Sequence, residues 1–582
     1  MSSSFIVAQH YDIHQDALRR IDEEISQLEA RLTSLHLAFP HISDSQSLGQ
    51  ITRDEINQLE VKIRSLKSTR NSLIPIARLH HEILQEIFII SSEEAGEQAA
   101  LLMSWISRSW REIALQTPAL WSYLTFKHPD WAQAALSRTR DHELGFCYIF
   151  PFEELKAYKH LIPIWHDTLH RMRRIYLTPF SMRPPMEKFP IRLNWVTPAP
   201  CLVEVHLHRI SLPENLFSGS CPSLRSLYLT GCEVAWNAIP VSPRMTELTI
   251  KNPSPRVSIH DVITKMRIIG PTLRVLALES ILLPTTGPPK PSQPRIQFDH
   301  MSSFTLEDEN AQSVCCFLDQ ASLPGCPKVD VEVSGGTLED QFATTQAVVG
   351  ARGVPRWPVT HLEVGLHEEY LSFHMTEEEI RSAEDTLICD KKSIKLSLST
   401  VGFNHAAAVL PAFGSLPFSP VNTLRFSGGW SDPQGPLLLD HFNSQRTVQF
   451  LELAVEFVPT FLQFIKPQND RLHEIVNAAG VSDYRLHEVV QTVGFSDGNV
   501  LLLGEETKKL GSDIIEFRAL RRITIEGDEF DDTELLYASY MALREWLIWR
   551  NVFGVRLGSL VLKDMKVPNG TMGWFKDLVD EL

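Results

Sequence analysis

A six-residue pattern close to Leu-x-x-Leu-x-Leu keeps returning along this chain, and it constrains the fold more than any other feature. It reads Met172-Arg173-Arg174-Ile175-Tyr176-Leu177 and Leu202-Val203-Glu204-Val205-His206-Leu207, then Leu224-Arg225-Ser226-Leu227-Tyr228-Leu229, Met245-Thr246-Glu247-Leu248-Thr249-Ile250 and Leu273-Arg274-Val275-Leu276-Ala277-Leu278. Weaker copies end at Leu306, Val364, Leu398, Phe426, Leu453, Ile525 and Leu562. From Leu177 to Leu306 the final positions step by 30, 22, 21, 28 and 28 residues. One copy is what any half-buried strand shows. Five in succession are hard to obtain from an ordinary sheet and predict strands stacked in parallel, one per repeat, as in a solenoid. The apolar positions then point inward. The residues between and just after them, Tyr176, His206, His208, Ser226, Tyr228, Glu247, Lys251, Glu279 and Glu307, point out on one concave face. Tyr176, His206, His208, Tyr228 and Lys251 are the candidate binding residues there, with the two tyrosines as anchors.

The period is that of a leucine-rich repeat, although the copies are irregular and lack the usual Asn after the strand; Gly231 follows the third. Three stretches interrupt them. Residues 284–294 hold five prolines and Gly287, which predicts a stiff surface loop. Residues 335–353 are small and polar and read as another loop. Residues 471–497 carry a duplication, Arg471-Leu472-His473-Glu474-Ile475-Val476 against Arg485-Leu486-His487-Glu488-Val489-Val490. It predicts two short helices ended by Gly480 and Gly494.

Residues 12–73 have a different grammar. Leu18, Ile21, Ile25, Leu28, Leu32 and Leu35 alternate spacings of three and four, and Ile56, Leu59, Ile63, Leu66 and Leu73 repeat the seam after a loop holding Pro40 and Gly49. Two helices of about 24 and 21 residues, roughly 30 to 36 Å each, are expected to fold back as an antiparallel hairpin. An intermolecular coiled coil is the rival arrangement.

Between hairpin and repeats, residues 74–121 read as three short amphipathic helices. Leu79, Ile83, Ile87 and Ile90 recur at helical spacing, with Leu84 and Phe88 as a second row. Together they cover an arc of roughly 180°, where a single core needs about 100°. Ser91 with Glu94 reads as a capping box opening a second helix through Ala99, Leu102 and Ile106. Trp110, Ile113 and Ala114 form a third helix ended by Thr117-Pro118. Leu120 to Phe126 alternates as a strand, and 131–140 reads as a helix. A helical piece of a larger core would show the same amphipathicity. The residue order is more informative: Leu79-x-x-Glu82-Ile83-Leu84-x-Glu86-Ile87-Phe88, then Ser107-Arg108-x-Trp110-Arg111-Glu112-Ile113-Ala114-Leu115-x-Thr117-Pro118-x-Leu120-Trp121. Over about 48 residues this resembles the F-box of the expanded fungal F-box family. His80 stands where that family usually has Pro, and Ser107 where Cys is common.

The resemblance implies a substrate-recognition subunit of an SCF-type (cullin-RING) ubiquitin ligase. Leu79, Ile83, Leu84, Ile87, Phe88, Ser107 and Trp110 would meet a Skp-type adaptor, and through it cullin, while the repeats hold a protein target. The chain would be non-catalytic, raising the effective concentration of target lysines near the conjugating enzyme. A non-catalytic scaffold without ligase association is the alternative from another class. The expected fold class is α/β: a helical hairpin (1–73), a three-helix F-box-like module (74–121) and an irregular leucine-rich-repeat-like solenoid with a parallel sheet (122–582).

Composition narrows the remaining choices. A net charge of −16 argues against a general nucleic-acid binder. Eight cysteines in 582 residues, with no paired spacing, make neither a disulfide framework nor a zinc site. The first residues lack the basic and apolar regions of a signal peptide, and no run approaches eighteen apolar residues, so a cytoplasmic or nuclear location without membrane contact is expected. His473-Glu474 and His487-Glu488 do not complete His-Glu-x-x-His, because Asn477 and Gln491 occupy the fifth positions. His361, His367 and His374 are off one helical face. Glu377-Glu378-Glu379 reads as the first turn of a helix. No phosphate loop or nucleophile elbow is present. No catalytic, cofactor or metal residue is expected.

Overall fold

The computed structural model describes the chain except residues 1, 43–45, 96, 125–128, 151–160, 180–192, 285–293, 353–360, 368–369, 377–392, 400–420, 428–438, 441, 443–446, 480–507, 510, 513–514, 516, 528–532, 564–574, 577 and 582. It is a mixed α/β protein with twelve helices among the described residues and a large, mainly parallel sheet. Two units separate: residues 1–186 with 190–202, and residues 187–189 with 203–582.

The first unit opens with α1 (Ser2–Ile42) and α2 (Gln46–Leu73), of 41 and 28 residues. Both are longer than the seam predicts, because Pro40 and Gly49, read as loop residues, fall in the last turn of α1 and the first turn of α2. Local propensity is a weak bias that packing overrides. Ile25, Ile56, Leu59 and Ile63 are buried along the seam. Ion pairs Lys62–Glu24 (2.8 Å), Lys67–Glu29 (2.7 Å), Arg31–Glu55 and Arg70–Asp22 cross it, and their order along the two helices makes the packing antiparallel. Exposed pairs of this kind contribute about 0.2–1 kcal/mol each, so they fix register more than stability.

A 3-10 turn (Pro75–Arg78) leads into α3 (His81–Ala95), α4 (Glu97–Ile106) and α5 (Arg108–Gln116). Two expectations need correction. Leu79 is extended (φ −64°, ψ 141°) and precedes the helix it was expected to open. The capping box at Ser91 does not start a helix, since α3 runs through it to Ala95. Ser92 donates its hydroxyl back to the Ile89 carbonyl (2.7 Å), which lets a serine sit inside a helix. Ser107 caps α5 by accepting from the Trp110 amide (3.1 Å). The helix ends at Thr117-Pro118 as predicted, and Trp121 Nε1 donates to the Ala114 carbonyl (2.7 Å). The predicted strand at Leu120 is instead a 3-10 turn (Pro118–Trp121) followed by the two-residue β1 (Tyr123–Leu124). After it come α6 (Pro129–Thr139), β2 (Leu144–Phe150), α7 (Leu161–Thr168) and β3 (Met172–Pro179). β1, β2 and β3 pair in parallel.

The second unit begins with β4 (Glu204–His208), β5 (Ser226–Thr230), β6 (Glu247–Lys251), α8 (Ile259–Ile269) and β7 (Val275–Glu279). Next are β8 (Ile296–Gln297), β9 (Ser303–Asp308), α9 (Ala311–Gln320), β10 (Ala321–Ser322), β11 (Lys328–Val333) and α10 (Leu338–Arg352). β8 and β10 form a small separate sheet. The others stack in parallel without a register break: Val205, Leu227, Leu248, Leu276, Phe304 and Val329 form one buried row, and Leu207, Leu229, Ile250, Leu278, Leu306 and Val331 the next. Each such side chain is worth about 1.5–3 kcal/mol of burial. The expected loop at 335–353 is mostly helix α10. Thr337 and Asp340 cap it, the Thr337 amide donating to Asp340 Oδ2 (2.9 Å) and the Asp340 amide to the Thr337 hydroxyl (3.3 Å).

The sheet then departs from a simple stack. β12 (His361–His367), β13 (Tyr370–Thr376) and β14 (Ser393–Ser399) form an antiparallel meander inserted whole. β14 pairs in parallel with β11, and β12 in parallel with β15 (Thr423–Ser427), so only β13 runs against the sheet. The expected parallel sheet is present, with β13 as its antiparallel exception among the described strands. β16 (Phe450–Ala454), α11 (Val458–Ala478), β17 (Arg522–Glu526), α12 (Thr533–Val552), β18 (Leu557–Lys563) and β19 (Val579–Glu581) complete the unit. The first duplicated segment is no separate short helix. It ends the 21-residue α11, with Leu472 and Val476 buried against Trp549 and Phe553. The second copy, Glu377 to Glu379 and most of the proline-rich loop lie outside the described residues.

Candidate functional site

Two surfaces, one in each unit, carry the residues singled out above. The first is built on α3, α4 and α5. Leu84 (2% exposed) and Phe88 (0%) are core, with Ala99, Ala100, Met103 and Ala114. The Trp110 ring lies 4.8 Å from that of Phe88 and is half-buried. Leu84 and Phe88 therefore hold the module together and are unavailable to a partner, and Ser107 is spent as a helix cap. The other apolar row stays out: Leu79 is 40% exposed, Ile83 51% and Ile90 59%, with Ile87 half-buried. The module thus exposes the surplus that its 180° arc predicts.

The sequence reading expected a helix through Ala99, Leu102 and Ile106 but did not assign α4 to this surface. That helix buries its small residues, Ala99, Ala100 and Ser104, beside Met103, and exposes its large ones, Leu102, Trp105 (67%) and Ile106. A hydrophobic pattern weighted by size would have found it. Eight of the fourteen large hydrophobic side chains that stay exposed among the described residues fall between Ile76 and Leu115. Such a concentration on one small module exceeds the single scattered hydrophobics that an ordinary surface carries. At the head of α3, donor atoms of His80, His81 and Glu82 lie within 4.8 Å of one another. All three are exposed and consecutive, and the grouping reads as a helix start: the His80 carbonyl accepts from the Ile83 and Leu84 amides, and the His80 ring hydrogen-bonds Glu82.

The second surface is the outer face of the β4–β11 sheet. Here strand register collects what the sequence spread over 130 residues. His206 pairs with Tyr228 across β4 and β5, and their rings stack at 4.0 Å and 21°. His206 Nε2 meets Glu204 at 2.9 Å, and the Tyr228 hydroxyl donates to Glu247. In the next row His208, Thr230, Lys251, Glu279, Glu307 and Glu332 follow one another in register on six strands. Lys251 Nζ holds Glu279 at 2.7 Å. Burial lowers the His208 pKa, with Arg209 adding to the effect. The Glu307 carboxyl is pushed above the ordinary range, first by burial and then by Glu279 and Glu332. Tyr176 belongs to the first unit, on β3, so Tyr228 with His206 is the aromatic feature of this face. Farther along the same sheet the carboxylates are neutralised. Arg425 reaches Glu363 (3.7 Å), Glu452 (3.8 Å) and Glu526 (3.4 Å), and Lys563 also pairs with Glu526.

Among the described residues no helix is long and apolar enough to cross a membrane. No family model matches the chain, and no curated protein matches it.

Proposed function

We propose that this protein is the substrate-recognition subunit of an SCF-type ubiquitin ligase, with residues 74–121 as an F-box that docks on a Skp-type adaptor and through it on cullin. The strand repeats act as a leucine-rich-repeat-like solenoid that holds a protein target on its outer face. The observation that carries this reading is the division of α3 into two rows. Leu84 and Phe88 close a core of their own, while Ile83 and Ile90, with Leu79 just before the helix and Leu102, Trp105 and Ile106 of α4, remain exposed. A helical module that can fold and still leave six large apolar side chains in water is suited to a permanent partner. Its order of residues resembles that of an F-box. The chain itself then does no chemistry, and its contribution is effective concentration.

The test is co-purification of the full-length protein with a Skp-type adaptor. Leu79→Asp and Trp105→Asp each place a charge on an exposed apolar position, so the module stays folded while adaptor capture is lost. Hot-spot substitutions of this kind cost about 2 kcal/mol or more, roughly thirtyfold in affinity. Phe88→Ala is the wrong probe, since emptying a buried Phe costs about 3–5 kcal/mol of stability. Undiminished adaptor capture by both aspartate variants would count decisively against the reading.

A further inference from the structure

The first unit contains a cleft of about 630 Å³ between its helical module and the strands β1 to β3, within the range of roughly 300–1,000 Å³ that small-ligand sites occupy. Register explains its floor. Tyr123 of β1 opposes Gly145 of β2, and Gly145 opposes Arg174 of β3, while Cys147 opposes Tyr176. Directly paired residues share a face, so an aromatic ring and a guanidinium stand on either side of a position that has no side chain. A Cβ at Gly145 would lie 3.0 Å from the Tyr123 ring; the ring packs directly over the glycine, and its position at the cleft wall depends on there being no side chain.

A β-bulge shapes the same wall. Leu144 pairs with Met172 but Gly145 pairs with Arg174, so Arg173 is an extra residue on β3. In a regular strand consecutive side chains point to opposite faces. The bulge breaks that alternation, a device that re-aims side chains beside functional sites, and both Arg173 and Arg174 line the cleft. The acidic groups at the rim have cationic neighbours. Glu143 pairs with Arg173 at 2.8 Å, and Asp141 interacts with Arg171. The Arg173–Glu143 pair is half-exposed and worth little, so a ligand can replace Glu143 at low cost. Burial raises the Tyr123 phenol pKa, and Arg174 acts in the opposite direction, which places the guanidinium in electrostatic reach of that ring.

We infer that this cleft binds an oxyanion, a phosphate monoester or a carboxylate carried on a planar ring or short side chain, between the guanidinium groups of Arg173 and Arg174 and the rings of Tyr123 and Tyr176. Guanidinium matches such oxyanions in a bidentate geometry, and Tyr123 and Tyr176, which also line the cleft, offer apolar contact to the part of the ligand that carries it. This site is independent of adaptor capture.

The full-length protein titrated with phenyl phosphate, and separately with benzoate, at low ionic strength in a calorimeter tests it. Saturable one-site binding of either probe, weakened about tenfold or more by Arg174→Gln, is the expected result. Binding of phenyl phosphate alone assigns a phosphate monoester as the ligand group; binding of benzoate alone, or of both, assigns a carboxylate-sized oxyanion. Arg174 is exposed, so its variant keeps the melting temperature of the parent. Arg173→Gln, which removes the second guanidinium, weakens binding as well. Failure of both probes to saturate, or undiminished affinity in Arg174→Gln, overturns the site.

Discussion

Glu307 is the side chain with least reason to be where it is. It lies in register between Glu279 and Glu332 on neighbouring strands, and like charges directly opposed in a sheet are destabilising. Among the described residues Glu279 alone of the three makes an ion pair, with Lys251. Around Arg425 the same sheet neutralises its carboxylates; at Glu307 the opposing pull of Lys251 is outweighed by burial and by Glu279 and Glu332. With a folded-state pKa above the unfolded one, Glu307 is tolerated while protonated, and its penalty sets in as pH rises through the raised pKa. Glu307→Gln is therefore expected to stabilise the protein at pH 7 by about 0.2–1 kcal/mol. The gain should shrink towards pH 4, as urea midpoints at the two pH values would show. A variant no more stable than the parent at pH 7 would mean that a counter-charge is present in solution.

At the scale of the element, the repeats hide a regularity that the residue types do not show. Arg209, Gly231, Asn252 and Ser280 each follow the end of a strand, and all four have positive φ, from 48° to 62°. Each amide reaches a carbonyl at the end of the next strand: Arg209 to Thr230 (2.7 Å), Gly231 to Lys251 (2.7 Å), Asn252 to Glu279 (2.8 Å) and Ser280 to Glu307, the last residue but one of β9 (2.7 Å). A left-handed residue turns the chain out of each of these four strands, whatever its side chain. At Gly231 a Cβ would also sit 3.1 Å from the Arg209 side chain. Gly231→Ala should cost about 1–2 kcal/mol in stability, whereas Asn252→Gly should change it little, because Asn already tolerates this conformation. Equal effects in chemical denaturation would show that the turn does not set the repeat. The C-terminal helices follow a different rule. Arg550, fully buried on α12, donates to the carbonyls of Phe517 and Leu520 (3.2 Å each), and burial lowers its pKa to about 9. A buried cation so used ties a helix to the turn before β17.

For the whole molecule, the two surfaces lie in different units and should fail separately. Joint replacement of His206 and Tyr228 by Ala removes the stacked pair from the second unit's outer face. It is expected to weaken target capture while leaving adaptor capture at the parent level, and Leu79→Asp should do the reverse. Comparative affinity capture from one extract reads both. Loss of both activities in either variant would show a shared unfolding rather than two sites.

The sequence by itself determined the period. Every position at which a copy of the repeat ends, from Leu177 to Leu562, falls within a strand, because an alternating apolar pattern is a local property that needs no partner to be read. It also determined the surplus apolar arc of α3, since helical geometry fixes which residues share a face. It did not determine which row of that arc turned inward; the contacts of Phe88 with Trp110 settled that, and they depend on where α5 packs. Nor did it predict the strand Lys328–Val333, where only alternate valines mark a place between β9 and β14. The inserted meander, the stacking of His206 on Tyr228 and the charge ladder through Glu307 are all consequences of register. Register in the parallel stack pairs residues twenty or more positions apart, and no pattern within a single repeat encodes it.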